Sequence, residues 1–126
     1  MDFGFGAQIE GAGARFRLWA PGAESVDVII EDTGRPKIFP MNRDGRNWFE
    51  TFVAGTCAGT LYSYRIDGKT AVPDPASRFQ PGEVGGQSQV VDPEAYRWSK
   101  DTWNINPWHE PVLYELHVGT FTAEGT

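Results

Sequence analysis

Short runs of period-two alternation, each closed by a turn signal, constrain this chain more than any other feature. Arg15-Phe16-Arg17-Leu18-Trp19-Ala20 alternates polar and apolar residues, with Phe16, Leu18 and Ala20 on one face, until Pro21-Gly22 stops it. Residues 25–31 repeat the pattern with Val26, Val28 and Ile30 inward. A turn over residues 32–36 leads into a short strand at 37–41, where Pro40 marks an edge or an ending. Asn42-Arg43-Asp44-Gly45 reads as a turn, Asp-Gly being a hairpin signal, and residues 47–53 alternate again. After a loop at 54–59, residues 60–67 alternate strongly, and Asp67-Gly68-Lys69 turns the chain into Thr70-Ala71-Val72-Pro73. Short strands spaced by about 8–12 residues, with turns between them, predict an all-β sandwich. No helical period of useful length competes with that reading.

From Pro73 the character changes. Pro73-Asp74-Pro75-Ala76-Ser77-Arg78-Phe79-Gln80-Pro81-Gly82 is Pro-rich and extended, unsuited to a sheet centre. Ser88-Gln89-Val90-Val91-Asp92 can add one more strand. Tyr96, Trp98 and Trp103 then sit in a polar stretch, and Pro107 to Pro111 form a second Pro-bounded link. Val112-Leu113-Tyr114-Glu115-Leu116-His117-Val118 reads as a buried strand followed by a turn, with nothing after it to pair with. The expected organisation is a sandwich over 1–92, a connector over 93–111, and the start of a second domain over 112–126. The chain reads as cut from a longer protein.

Charge and composition narrow the partners. The net charge of −6 disfavours nucleic acid, because phosphate contacts need a basic surface. No apolar run approaches the roughly 20 residues of a membrane helix, and the N-terminus lacks the basic and apolar regions of a signal peptide. The single Cys57 excludes an internal disulfide and fits a reducing compartment, so a cytoplasmic location is expected. Two His and one Cys, far apart, make no metal set, and no cofactor is expected.

Four segments carry a resemblance. They are Arg15-Phe16-Arg17-Leu18-Trp19-Ala20-Pro21, the Pro73–Pro81 stretch, Gln89-Val90-Val91-Asp92-Pro93, and Tyr114-Glu115-Leu116-His117-Val118-Gly119-Thr120-Phe121-Thr122 with the residues after it. Together they resemble the N-terminal region of α-amylase-superfamily enzymes, glycoside hydrolase family 13, which act on α-1,4-glucans. Branching and debranching members share the first and last segments. The Pro73–Pro81 stretch and the extended ending lean toward the members that release trehalose from maltooligosyltrehalose. The resemblance implies an immunoglobulin-like module of early-set, glycogen-binding type, ahead of a (β/α)8 catalytic barrel whose first strand is residues 112–118. Retaining hydrolysis needs two carboxyl groups about 5–5.5 Å apart. The family's catalytic carboxylates lie on later barrel strands, so no catalytic residue is carried onto this chain. The implied role is a non-catalytic module, inactive alone, that packs on its own barrel and shapes the substrate cleft. The alternatives are an autonomous α-glucan-binding module, or the N-terminal module of a branching or debranching enzyme. One departure stands out: family members often carry His where this chain has Gly85.

The candidate side chains are few. Asp67, Asp74, Glu83 and Asp92 fall in turns and loops, where solvated turn roles are expected. Glu115 and His117 fall in the expected barrel strand, His117 near the end that faces substrate in such barrels. A wall histidine bonded to a neighbouring strand is the simpler role, and His109 reads as a linker residue. Arg78 is placed to clamp Asp74 or a barrel carboxylate, and Phe79 to anchor its loop on the sandwich. Aromatic faces stack on the apolar faces of glucose rings. Trp98, Trp103 and Trp108 lie in the connector and read as interface residues. Trp19 and Trp48 each alternate with an apolar neighbour, and Trp48 is the candidate substrate-binding residue.

Overall fold

The computed structural model describes residues 4–32, 34–99 and 106–125. Among them form β1 (Gly6–Glu10), β2 (Gly13–Trp19), β3 (Val26–Asp32), β4 (Arg35–Pro40), β5 (Asn42–Arg43), β6 (Trp48–Ala54), β7 (Leu61–Ile66), β8 (Ala71–Val72) and β9 (Ser88–Gln89). Every ladder is antiparallel. One sheet runs β1-β2-β6-β5 and the other β4-β3-β7. Both β8 and β9 lie on the far side of β7, β8 opposite Tyr64 and Arg65 and β9 opposite Leu61 and Tyr62.

The alternation explains the two layers. In an antiparallel sheet successive side chains point to opposite faces, so one face can pack while the other meets water. β2 turns Ala14, Phe16 and Leu18 inward, β6 Phe49 and Val53, β3 Val26, Val28 and Ile30, and β7 Tyr62 and Tyr64. These form one core between the sheets, which Ala7, Ala23, Met41 and Val90 complete. Phe16 meets Tyr62 edge to face at 5.0 Å, and Tyr62 meets Tyr64 at 5.8 Å. Each buried large side chain contributes about 1.5–3 kcal/mol of transfer free energy, so this layer carries most of the fold's stability.

The turns follow from local chemistry. Asp67 and Gly68 both have positive φ, 50° and 68°, and the Lys69 N–H donates to the Ile66 carbonyl at 2.9 Å. That is the primed two-residue turn that matches strand twist. The Asp67 carboxylate also accepts from the Glu24 and Ser25 N–H groups at 2.8 and 2.9 Å, which fixes the entry to β3 and depresses its pKa below the usual carboxylate value.

The structure departs from expectation at three places. Asn42 and Arg43 are not a turn but the short strand β5, and the reversal falls one step later, with Asn47 at a φ of 68°. β1 was absent from the expected set, because a run punctuated by Gly4 and Gly6 gives little alternation to read. The expected barrel strand over 112–118 is not formed: residues 106–117 carry no strand, and Val118–Phe121 is one helical turn. A strand exists only through its ladder partners, and no ladder among the described residues includes this segment. The chain divides into two compact units, Met1–Tyr96 and Arg97–Thr126. Within the second, Tyr114 and Phe121 meet edge to face at 6.2 Å. Trp103 lies outside the described residues.

Candidate functional site

The outward face of the first sheet collects residues from distant parts of the chain. In the β2–β6 register Trp19 stands opposite Trp48, Arg17 opposite Glu50, and Arg15 opposite Phe52. Since Leu18 and Phe49 point into the core, these six point out. β5 adds Asn42, opposite Glu50.

The charged groups on this face hold one another. Arg15 donates to both oxygens of Glu10 at 2.8 Å and to Glu50 at 2.6 Å. Those two carboxylates push the Arg15 pKa still further up. Arg17 lies 3.5 Å from Glu50, donates to the Gly4 carbonyl at 2.8 Å, and places its guanidinium 4.5 Å from the centre of the Trp48 ring. The last contact is a cation–π interaction that orients the indole. Trp48 is half-buried and Trp19 is exposed. The turn before β6 completes the setting. Asp44 accepts from the Trp48 N–H at 3.0 Å and the Arg46 N–H at 2.8 Å, which hold its carboxyl below the usual range. Beside these residues runs a groove of about 500 Å³, lined by Arg17, Asp44, Arg46, Trp48, Glu50 and Phe52 among others.

Asp74 behaves differently from its expected place in a solvated turn. It is 3% exposed. Its carboxylate accepts from Tyr62 Oη at 2.7 Å, Tyr64 Oη at 3.4 Å and the Ala76 N–H at 2.7 Å, while its own N–H donates to Ser88 Oγ at 3.0 Å. Burial pushes the carboxyl pKa up, against the opposing pull of these donors. Burial and the adjacent carboxylate push Tyr62 and Tyr64 up in turn. A sealed carboxylate whose oxygens are occupied is a structural hub that pins the Pro73–Pro81 stretch to β7, with no access to substrate.

The other candidates resolve individually. Arg78 donates to the Ala7 carbonyl at 2.8 Å and so ties the stretch to β1. Phe79 anchors its loop through its carbonyl, which accepts from the Gln89 N–H at 2.9 Å, while its ring stays exposed. Asp92 caps the short helical turn Pro93–Ala95 through the Glu94 N–H. Glu83 is exposed in a turn closed from Gly86. Gly85 sits at a φ of 90°, which a histidine would adopt only under strain. In the second unit, Glu115 is exposed, His117 precedes the helical turn, and His109 lies 4.0 Å from Glu110. Trp98 and Trp108 are exposed within the described residues. Those residues contain no cluster of His, Cys, Asp and Glu fit for a metal, and no helix long and apolar enough to cross a membrane. Phe52 was not singled out from the sequence, although it shares the alternation of Trp48 and Glu50.

Two antiparallel sheets of this order packed around one core make an immunoglobulin-like β-sandwich. The chain belongs to the carbohydrate-binding module 48 family, the isoamylase N-terminal domain, whose profile matches residues 4–95. It is 38% identical over 97% of its length to the malto-oligosyltrehalose trehalohydrolase of Saccharolobus solfataricus, and 39% identical over 94% to that of Rhizobium sp.. A Salmonella typhimurium structure assigned as an alpha amylase matches 97% of the chain with a TM-score of 0.75 and 42% identity. The chain spans about one fifth of each: 21% and 20% of the two trehalohydrolases and 20% of the Salmonella chain.

Proposed function

We propose that this chain is the non-catalytic N-terminal module of a glycoside hydrolase. That enzyme releases trehalose from maltooligosyltrehalose by cleaving the adjacent α-1,4-glucosidic bond. The module packs against the catalytic (β/α)8 barrel, which residues 112–126 begin, and shapes the approach to its cleft. The observation that carries this reading is that trehalohydrolases align along nearly the whole chain while the chain fills only a fifth of their length. The free thiol of Cys57 fits a reducing compartment, and the enzyme works in the cytoplasm. The test is exchange: this chain replaces the corresponding region of the Saccharolobus solfataricus enzyme. The chimera is expected to release trehalose, the enzyme lacking the region to be impaired, and the chain alone to release none. Trehalose release by the chain alone, or a chimera no better than the deletion, overturns the reading.

A second reading is favoured by one observation. Trp48 lies on the outward face directly opposite Trp19, beside the groove. That placement supports α-1,4-glucan binding by the module itself, with Trp48 as a substrate-binding residue.

A further inference from the structure

The outward face of the second sheet is built unlike that of the first. Val28 and Ile30 of β3 and Tyr62 and Tyr64 of β7 point into the core, so Ile29 and Ser63 point out. The register sets Ile38, Ile29 and Ser63 in one row across β4, β3 and β7, with Pro36 opposite Glu31. On this face lies an apolar groove of about 310 Å³, lined by Ile29, Pro36, Val72, Pro73, Gly85 and Gly86 among others. Among the described residues Glu31 alone brings charge to that lining. In the next outward row Asp27 is paired with Arg65 at 2.8 Å.

The turn that borders the groove is held from behind. The Gly86 N–H donates to the Glu83 carbonyl at 2.8 Å, and Gln80 Nε2 donates to the Gly86 carbonyl at 3.3 Å. Upstream, Asp74 and Arg78 pin the same stretch to β7 and β1. Yet Val84, inside this turn, is fully exposed, and Ile38 is 47% exposed. Solvated turn positions favour Gly, Asn, Asp and Ser, whose side chains or freedom serve the turn itself. An aliphatic side chain held out on a fixed turn serves a partner instead, and meets it with little left to order. Interface centres are depleted of charge and rimmed by polar groups. The second sheet has that composition, whereas the first carries an Arg–Glu network across its outward face.

Trehalohydrolases align along nearly all of this chain, which fills about a fifth of their length, so most of such an enzyme lies elsewhere. We propose that the outward face of the second sheet is where the catalytic barrel of that enzyme docks. Ile29, Ile38 and Val72 form the centre of the contact, and Val84 is buried in the barrel's surface. The proposal rests on the reading of this chain as the module of a longer hydrolase, and adds which of its two sheets the barrel covers.

The test is hydroxyl-radical footprinting of side chains, on the full chain alone and on the Saccharolobus solfataricus chimera that carries it. Ile38, Val72 and Val84 are expected to lose labelling about fivefold or more in the chimera, as residues at an interface centre do, while Trp19 and Phe52 are labelled equally in both. Val84→Asp is expected to leave the urea midpoint of the chain alone in place and to restore labelling of Ile38 in the chimera, because an unpaired charge is not tolerated in a buried contact. A chimera that releases trehalose while Ile38 and Val84 stay as reactive as in the chain alone overturns the docking face and leaves the parent reading standing. Protection of Trp19 and Phe52 in place of Ile38 and Val84 moves the barrel to the first sheet and also overturns it. Protection that grows with the concentration of the chain alone, with none added in the chimera, makes the face a self-association surface and overturns barrel docking. A chimera no better than the deletion overturns the parent reading, and the docking face with it.

Discussion

Replacing Asp74 with alanine tests the buried hub most directly. The substitution leaves the Tyr62 hydroxyl and the Ala76 N–H, both now bonded at 2.7 Å, without their acceptor. The Tyr64 hydroxyl at 3.4 Å is too long to contribute much. A buried donor left without a partner costs about 1–3 kcal/mol, which applies in full to the Tyr62 hydroxyl, and the part-buried Ala76 N–H adds less, for about 2–5 kcal/mol together. Part is offset, because removing the carboxylate also removes the cost of burying it, the same cost that raises its pKa. The net expectation is a loss of about 2–4 kcal/mol. Urea unfolding followed by Trp fluorescence reads this as a lower midpoint at unchanged slope. Adding Tyr62→Phe to Asp74→Ala removes the stranded hydroxyl and is expected to recover about 1 kcal/mol. A single-variant loss below about 0.5 kcal/mol, or no recovery in the double variant, refutes the hub.

Asp74 also sets a pH dependence of definite sign. Its carboxyl pKa is raised in the folded state, so above pH 3.8 the unfolded chain releases this proton first and the native state binds more protons. Stability from this group is therefore lost as pH rises from 3.8 through the folded value. The unaltered chain should gain on Asp74→Asn when urea midpoints are compared at pH 7 and near pH 4. Asp44 and Asp67, held down by backbone donors, run the opposite way in both proteins and cancel; an unchanged gap counts against the assignment. Phe16→Ala, at a fully buried ring in edge contact with Tyr62, should cost about 3–5 kcal/mol in the same assay. Gly13→Ala puts a Cβ 2.5 Å from the Val53 carbonyl oxygen and 2.9 Å from the Ala54 Cα, so the β2–β6 pair must part. A loss of about 1–3 kcal/mol is expected, and a neutral result shows that the strands shift freely.

The layers were legible because alternation is a local property. Phe16 and Leu18, Val26 and Val28, and Phe49 and Val53 announce their inward faces within a few residues, and the core contains them all. The same period set Trp48 against Phe49 but left core, surface and interface all open for it. Its setting was not legible, because the neighbours that define it come from β2, which pairs with β6 across the intervening β3, β4 and β5. Nothing within residues 47–53 shows that Arg17 covers Trp48 or that Arg15 stands opposite Phe52. Asp74 misled for the same reason. In the chain it sits between two prolines, the ordinary setting of an exposed turn carboxylate, while the hydroxyls that seal it in come from β7.

The segment 112–118 shows the converse. Its apolar run is as strand-like as that of β3, yet a run of apolar residues states only that a face seeks cover and does not supply the ladder partner. β3 becomes a strand because β4 and β7 flank it on both sides, and no described strand does so for 112–118. The same logic bears on the candidate site. A groove made by the register of two strands distant in sequence is held by the whole sandwich rather than by one loop. On the glucan-binding reading, affinity should therefore follow global stability: Phe16→Ala, whose side chain lies in the core and does not line the groove, should lose binding only to the extent that it populates the unfolded chain.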